Sequence, residues 1–395
     1  MTVANHLLSH LKVVEFTHMV MGPTCGLVLA DLGADVVKVE PAPAGDSTRN
    51  LTGSGTGFYA AFQRSRRSLC LNMKTPEGMA LVRRLLAGAD VLIENFRPGA
   101  MDRLGLSYDA LSAENPRLIY CSCKGFLPGP YDHRTALDEV VQMMGGLAYM
   151  TGLVGRPLRA GSSVIDIMGG MAAALGVLAA VAERERTGRG RRVESGLFET
   201  VALLMAQHMA QTAITGQEPP PMSQRLPAWP VYDVFDTADG GQLFVGVVTD
   251  TQWPSFCDAF GLQALKDDPA LATKQQRVQQ RHRTIPVIAE VFRQYTKAEL
   301  TAKVEALGLP FAPIGRPAEL FDDPHLNAGG GLVPLTLPDG RAVKLPALPV
   351  AIDGERPAAR GDLVPPGAHN TEIAASLGYS AAEIAALREK GVLVG

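Results

Sequence analysis

Short β-branched apolar runs alternate with helix-length amphipathic stretches through the first half of the chain. The runs at 11–16, 35–40, 68–72, 90–94 and 117–123 read as strands, and 191–198 is a sixth candidate. Between the first two, a turn ending at Gly22-Pro23 opens a helix near Thr24 that closes near Leu32-Gly33, which makes a βαβ unit. Thr75, Pro76 and Glu77 stand in the order of an N-cap, a first helical proline and a first-turn acid. This alternation predicts an α/β fold with a mostly parallel sheet and helices on both faces. No G-x-G-x-x-G follows the first strand, so the dinucleotide-binding fingerprint is missing.

An apolar helix is expected over 198–212, and the pattern changes at the proline-rich stretch 216–222. Beyond it, runs at 232–235 and 242–248 flank Ala238-Asp-Gly-Gly241, a hairpin signal, and helical spacing follows at 251–260, 285–294 and 297–307. A second hairpin is expected around Asp339-Gly340, and a last helix over 380–390. The expected organisation is a large domain over 1–212, a linker at 213–230, a smaller α+β domain at 231–325, and a second linker with a C-terminal return to the large domain at 326–395.

Composition narrows the class. Hydrophobic residues at 46% and charged residues at 19% suit a globular core and exclude a disordered chain. A net charge of −3 argues against a general nucleic-acid binder, and the basic runs Arg64-Ser-Arg-Arg67 and Arg189-Gly-Arg-Arg192 are short enough to be local anion contacts or solvated surface. The five cysteines lack metal-ligand spacing, so neither a disulfide framework nor a metal site is expected, and a cytoplasmic setting is. No uninterrupted apolar run is long enough to span a membrane, and the first residues do not read as a signal peptide.

The candidate chemistry centres on 161–170, where Asp166 sits among small and apolar residues at the head of a helical pattern that runs to Gly188. From these residues alone such an aspartate reads first as an ordinary N-cap. In a parallel sheet ligands lie off the carboxyl ends of the strands, which here are 16–18, Glu40, 72–74, 94–97 and 122–124.

A set of ordered motifs carries a resemblance. Leu32-Gly-Ala-Asp-Val-Val-Lys-Val-Glu-Pro41 with Gly45, Asp46 and Arg49, then Arg66-Arg-Ser-Leu69, Glu94-Asn-Phe-Arg-Pro-Gly99, Leu104-Gly-Leu106, Asn115-Pro-Arg-Leu-Ile-Tyr120 and Arg186-Thr-Gly-Arg-Gly190 together resemble the family III CoA-transferases. The likeness covers most of residues 8–210 and continues more weakly to Pro365-Pro-Gly-Ala-His-Asn-Thr371. It implies a Rossmann-like large domain, a homodimer whose two chains interlock like rings, and an acyl-CoA thioester as co-substrate, with no tightly bound cofactor. It implies Asp166 as the nucleophile, forming an aspartyl anhydride and then an aspartyl-CoA thioester, with helix N-terminal amides holding the oxyanions and keeping Asp166 ionised. It also implies that CoA lies along His18, Met19 and Val20, along Leu71, Met73 and Lys74, along Asn95, Phe96, Arg97, Ala100 and Arg103, and at Lys124, with cations for phosphates and Leu71 and Phe96 around the adenine.

The same family holds 2-methylacyl-CoA racemases, which carry a histidine immediately before the aspartate matching Asp138. Here that residue is Leu137, which moves no proton, and His133, four residues earlier, could replace the histidine only by a different loop path, so the transferase branch is expected over the racemase and over a noncatalytic CoA-binding paralogue. Asp138 is read as orienting a loop or a substrate group, or as a cap for the helix that follows it. No glycine-rich loop like that of formyl-CoA transferase occurs between 210 and 260, so oxalate is not the expected acid. Arg134, Arg159, His133, Arg225 and Lys124 are the cations from which a clamp for a second carboxylate is drawn, which points to succinyl-CoA as donor and a small dicarboxylate as acceptor.

Overall fold

Six strands form one parallel sheet: β1 (Lys12–Phe16), β2 (Asp35–Pro41), β3 (Arg67–Leu71), β4 (Val91–Glu94), β5 (Ile119–Lys124) and β6 (Arg192–Gly196), in the order β3-β2-β1-β4-β5-β6. The structure, a computed structural model, describes residues 6–225, 227–337, 339–357 and 361–395. Leu226 of the expected linker, and 338 and 358–360 of the C-terminal stretch, lie outside the described residues. The central strands are buried on both faces, which is why they read as continuous apolar runs rather than alternating ones. The order reverses between β1 and β4, so the loops leaving these two strands diverge and open a crevice at their carboxyl ends.

One face of the sheet packs against the helices Met21–Asp31 and Val164–Thr187, with Val13, Ile93, Ile119 and Cys121 meeting Cys25, Leu29, Ala173 and Val177. The other face packs against Pro76–Ala87 and the C-terminal helices Asn370–Ser376 and Ala381–Glu389. The helix after β1 begins at Met21, earlier than Thr24, because Pro23 falls in the first turn, where its missing N–H costs nothing. The apolar helix expected over 198–212 is two helices, Leu197–Leu204 and Ala206–Thr215, broken at the buried Met205.

Val164–Thr187 alone among the described helices is long and apolar enough by composition to cross a membrane, although no such stretch was expected. Part of that apolarity serves close packing. A Cβ on Gly170 would lie 2.4 Å from the Met21 carbonyl oxygen, and one on Gly169 would lie 2.7 Å from the end of the Met21 side chain. Only glycine lets the two helices approach this closely, and that contact fixes the helix one turn after Asp166.

The basic run after the second strand is a correction to the surface reading. Arg64 is buried on Asp31 at 2.6 Å, and Arg66 is buried on Glu15 at 3.0 Å while donating to the Pro23 carbonyl at 2.5 Å, so the pair clamps the helix Met21–Asp31 at both ends. Arg67 joins Asp35 and Glu372.

By its contacts the chain divides into two units, Met1–Ser223 with Phe321–Gly395, and Gln224–Leu320. The second unit has an antiparallel sheet of β7 (Val231–Asp236), β8 (Gln242–Val247) and β9 (Phe311–Pro313) around a core that includes Trp253, Phe256, Phe260 and Phe292. In the first unit, β10 (Leu332–Thr336) and β11 (Ala342–Pro346) form a separate hairpin. The chain then returns to the open edge of the large sheet, which unpaired would be a template for aggregation. Asn370, wholly buried, accepts from the Cys70 N–H at 2.9 Å and donates to the carbonyls of Cys70 and Val394 at 3.2 and 2.9 Å, and Leu393 bridges Leu71. Asn370→Ala removes the acceptor and leaves the buried Cys70 N–H unpaired, so we expect a loss of about 2–3 kcal/mol. Chemical denaturation checks this, and an unchanged midpoint contradicts it.

Candidate active site

A cleft of about 750 Å³ opens at the carboxyl ends of β1, β4, β5 and β6. Asp166, His18, Met19, Asn95, Phe96, Arg97, Lys124, Arg134, Asp138 and Arg159 all line it. The other expected CoA contacts do not. The side chains of Val20 and Leu71 are wholly buried in the core, which removes Leu71 as an adenine platform. Met73 packs against the second core cluster, and Lys74, Ala100 and Arg103 lie off the cleft wall.

Asp166 is the third residue of Val164–Thr187 and is not its cap. The backbone N–H groups of Ile165 and Asp166 donate instead to one oxygen of Asp138, at 2.9 and 3.0 Å. Asp138 in turn is the first residue of Asp138–Met144, whose N-cap position is Leu137, so its carboxylate caps a neighbouring helix rather than its own. Gln142, one turn along, donates to the other Asp138 oxygen and accepts from the Ala160 N–H at 2.8 Å. Sequence reasoning missed Gln142, although its i, i+4 spacing from Asp138 was a usable signal.

Two expectations are thereby corrected. The amides of Ile165 and Asp166 are committed to Asp138, so they are not open oxyanion donors. Asp166 is not held ionised by them either: burial and the nearby Asp138 charge push its carboxyl up to about 7, against a smaller opposing pull from Arg159. Among the described residues its carboxylate has neither a hydrogen bond nor an ion pair.

The buried Glu94 at the end of β4 and Glu194 on β6 are occupied. Glu94, buried at the end of β4, takes Lys124 at 2.5 Å and the Phe96 N–H at 2.9 Å. Lys124 is therefore a paired ammonium rather than a free phosphate ligand. Glu194 holds Arg192 at 2.8 Å. Both Glu94 and Arg192 belong to the wall; Glu94 stood among the strand ends where a ligand was expected, but neither was given a role there.

The loop after β1 is held from several sides. The Asn95 side chain accepts from the His18 N–H at 3.0 Å and donates to the His18 carbonyl at 2.8 Å, so it positions this loop. Met19 adopts a positive φ of 62° and donates its N–H to Thr48 at 3.0 Å. Lys38, buried with Asp46 at 3.0 Å, donates to the Thr17 carbonyl at 2.6 Å. Burial lowers the His18 pKa, which favours a neutral ring beside Phe96. Arg97 is exposed, with no ion pair among the described residues, and Arg134 stacks on Tyr131 at 4.1 Å.

Comparison with known proteins gives this geometry a family. The family model described as CoA-transferase family III matches residues 8–370. The chain is 35% identical to succinate–glutarate CoA-transferase of Agrobacterium fabrum, over 85% of this chain and 87% of that protein. It is 33% identical to succinyl-CoA–D-citramalate CoA-transferase of Chloroflexus aurantiacus, over 98% of each. The crystal structure of a CAIB/BAIF family protein from Brucella suis superposes with a TM-score of 0.82 at 33% identity, covering 93% of this chain and 98% of that one. A six-stranded parallel sheet, a family match across most of the chain and relatives of this similarity agree: the chain belongs to CoA-transferase family III and is a CoA-transferase.

Proposed function

We propose that this enzyme transfers CoA from succinyl-CoA to a small dicarboxylic acid, with Asp166 as the covalent nucleophile. The observation that carries the reading is an unpartnered carboxylate, raised in basicity, on the wall of a cleft at the sheet's switch point. An Asp166 oxygen attacks the acyl carbonyl, the C–S bond breaks, and CoA leaves as thiolate. The thiolate attacks the aspartyl carbonyl of the resulting anhydride and expels the first acid, leaving an aspartyl-CoA thioester. The incoming carboxylate attacks that thioester, and the same steps in reverse deliver the new acyl-CoA and free Asp166. Arg97, Phe96 and the clamped loop at His18 and Met19 are the cleft residues we assign to the CoA moiety. The relatives named for succinate–glutarate and for D-citramalate support dicarboxylic acids as substrates. Leu137 on the cleft wall supports transfer over racemisation, since it can carry no proton. Five free, buried cysteines fit a cytoplasmic setting.

We infer a homodimer, interlocked as the family likeness implies. Leu175, Leu203 and Ile214, on three successive helices, are 68%, 71% and 85% exposed, and an apolar surface of this kind suits burial against a second chain. Sedimentation should show a dimer. A stable monomer at micromolar concentration sinks this inference.

Acyl-CoA followed by hydroxylamine should convert the Asp166 side chain to a hydroxamate, seen by mass spectrometry of the peptide, and Asp166→Asn should lower exchange by at least about a thousandfold. An unmodified peptide in an enzyme that is turning over rules out covalent chemistry at this residue.

The reactive form of Asp166 is the ionised one, and its folded pKa lies above the unfolded value. The rate constant for acyl-CoA should therefore rise with pH through about 7 and level off above it. For stability the sign is opposite: the contribution of Asp166 is present at low pH and lost as pH rises toward about 7, so the Tm advantage of Asp166→Asn should grow between acid and pH 8. Asp138→Asn keeps an oxygen for the two amides but removes a charge, and should move the limb of the rate profile toward acid. A limb that stays in place shows that Asp138 does not set the basicity of Asp166.

A further inference from the structure

Arg159 lines the same cleft as Asp166 and stands shortly before its helix. Its Nε donates to the Ala160 carbonyl at 3.1 Å, and the Ala160 N–H is held by Gln142 at 2.8 Å, so the guanidinium is tied to a fixed segment. Its terminal nitrogens make only long contacts, 3.7 Å to Asp138 and 3.6 Å to Glu139, beyond hydrogen-bond reach. No other acceptor engages them among the described residues, and the side chain is 34% exposed. Asp138 does not need this arginine, since two amides and Gln142 already supply its oxygens.

The other cations of the wall are placed differently. Lys124 is closed onto Glu94, Arg192 onto Glu194, and Arg134 lies over the Tyr131 ring. Arg97 is also unpaired, but its charge acts on His18, in the part of the cleft assigned to CoA, whereas the charge of Arg159 acts on Asp166. Arg159 is thus the open guanidinium beside the carboxylate proposed to carry the covalent chemistry, and a planar fork of N–H donors matches a carboxylate bidentately.

We propose that Arg159 receives the distal carboxylate of a dicarboxylic acyl group whose proximal carboxyl reacts at Asp166, and so selects dicarboxylic over monocarboxylic acids. The assignment rests on the transferase reading above. The distal carboxylate stays ionised throughout and takes no part in bond making, so its contact is as strong in the ground state as in the transition state. Such uniform binding lowers KM and leaves kcat nearly unchanged.

The test compares glutarate with valerate, acids of equal length, as acceptors for the full-length enzyme at saturating succinyl-CoA. Measured on the alkaline plateau of each enzyme's own pH profile, where Asp166 is ionised with or without the pull of Arg159, Arg159→Gln should raise KM for glutarate by about 10- to 100-fold, leave KM for valerate unchanged, and hold kcat for glutarate within about threefold. Arg159→Lys, which keeps the charge but loses the fork, should fall between. An equal effect on both acids, a loss in kcat alone, or no change in either variant overturns the assignment. Hydroxamate formation at Asp166 separates the two failures. If it persists in Arg159→Gln while acid preference is unchanged, the specificity assignment alone falls; if it is absent in the wild-type enzyme, the transferase mechanism falls with it.

Discussion

The carboxylate of Asp138 on the first amides of the helix Val164–Thr187 is the constraint around which the site is arranged. A bare helix N-terminus attracts an anion and would make a nearby carboxyl more acidic. Here another residue's carboxylate has taken that place, and the charge that reaches Asp166 from this direction is negative. Burial first, and that charge after it, push the Asp166 carboxyl up to about 7, more basic than an ordinary aspartate yet largely ionised just above neutrality. A more basic carboxylate is a better nucleophile toward a thioester, so the hydrogen-bonding arrangement that anchors the helix also adds to what burial does to the group it carries. Through Gln142 the same carboxylate ties down Ala160, and with it the segment that presents Arg159.

The position of the cleft follows from the sheet. With β1 and β4 adjacent and their connections leaving in opposite directions, the ends of these strands are where a ligand can reach backbone and side chains of several elements at once. The cost is that charged and polar groups must be held at the edge of an apolar core. The fold meets it by pairing: Glu94 with Lys124, Glu40 with Arg49 and Asp46 with Lys38 are all at 3.0 Å or closer. Among the described residues the Asp166 carboxylate has no such partner.

Much of the architecture was legible because buried parallel strands write themselves as short β-branched runs, and the six strands came out within about two residues of their places. Helix starts were legible where a cap supplied a signal, as at Thr75, and less so at Met21, where an internal proline resembled a boundary. The site was legible in part. His18, Met19, Asn95, Phe96 and Arg97 reach the cleft because they leave strands at the switch point. Leu71 does not, because residues near the C-terminus close over the end of β3, and no local pattern announces a pairing between Leu71 and Leu393. Lys124 and the arginines at 64–67 mark the same limit. A cation's sequence neighbours do not say whether a carboxylate dozens of residues away will meet it, so residues that looked available for anions proved to be internal ties.

The helix Val164–Thr187 combines demands that account for its unusual composition. Its first turn must bring Asp166 to the cleft, and Gly169 and Gly170 must let it press against Met21 and Thr24 of the helix after β1. Gly176 does the same against Val193 of β6, where a Cβ would lie 2.6 Å from the valine methyl. Its inner face of alanines and valines fills the core, while Leu175 on the outer face suits the proposed dimer contact. A helix with small residues inward and apolar residues outward has few positions left for charge until its last turns, which is why it has the hydropathy of a membrane span. The exception near its start is Asp166, an ionisable group for which the packing supplies no partner among the described residues, and an unpaired carboxylate of this kind is what the proposed nucleophilic role calls for.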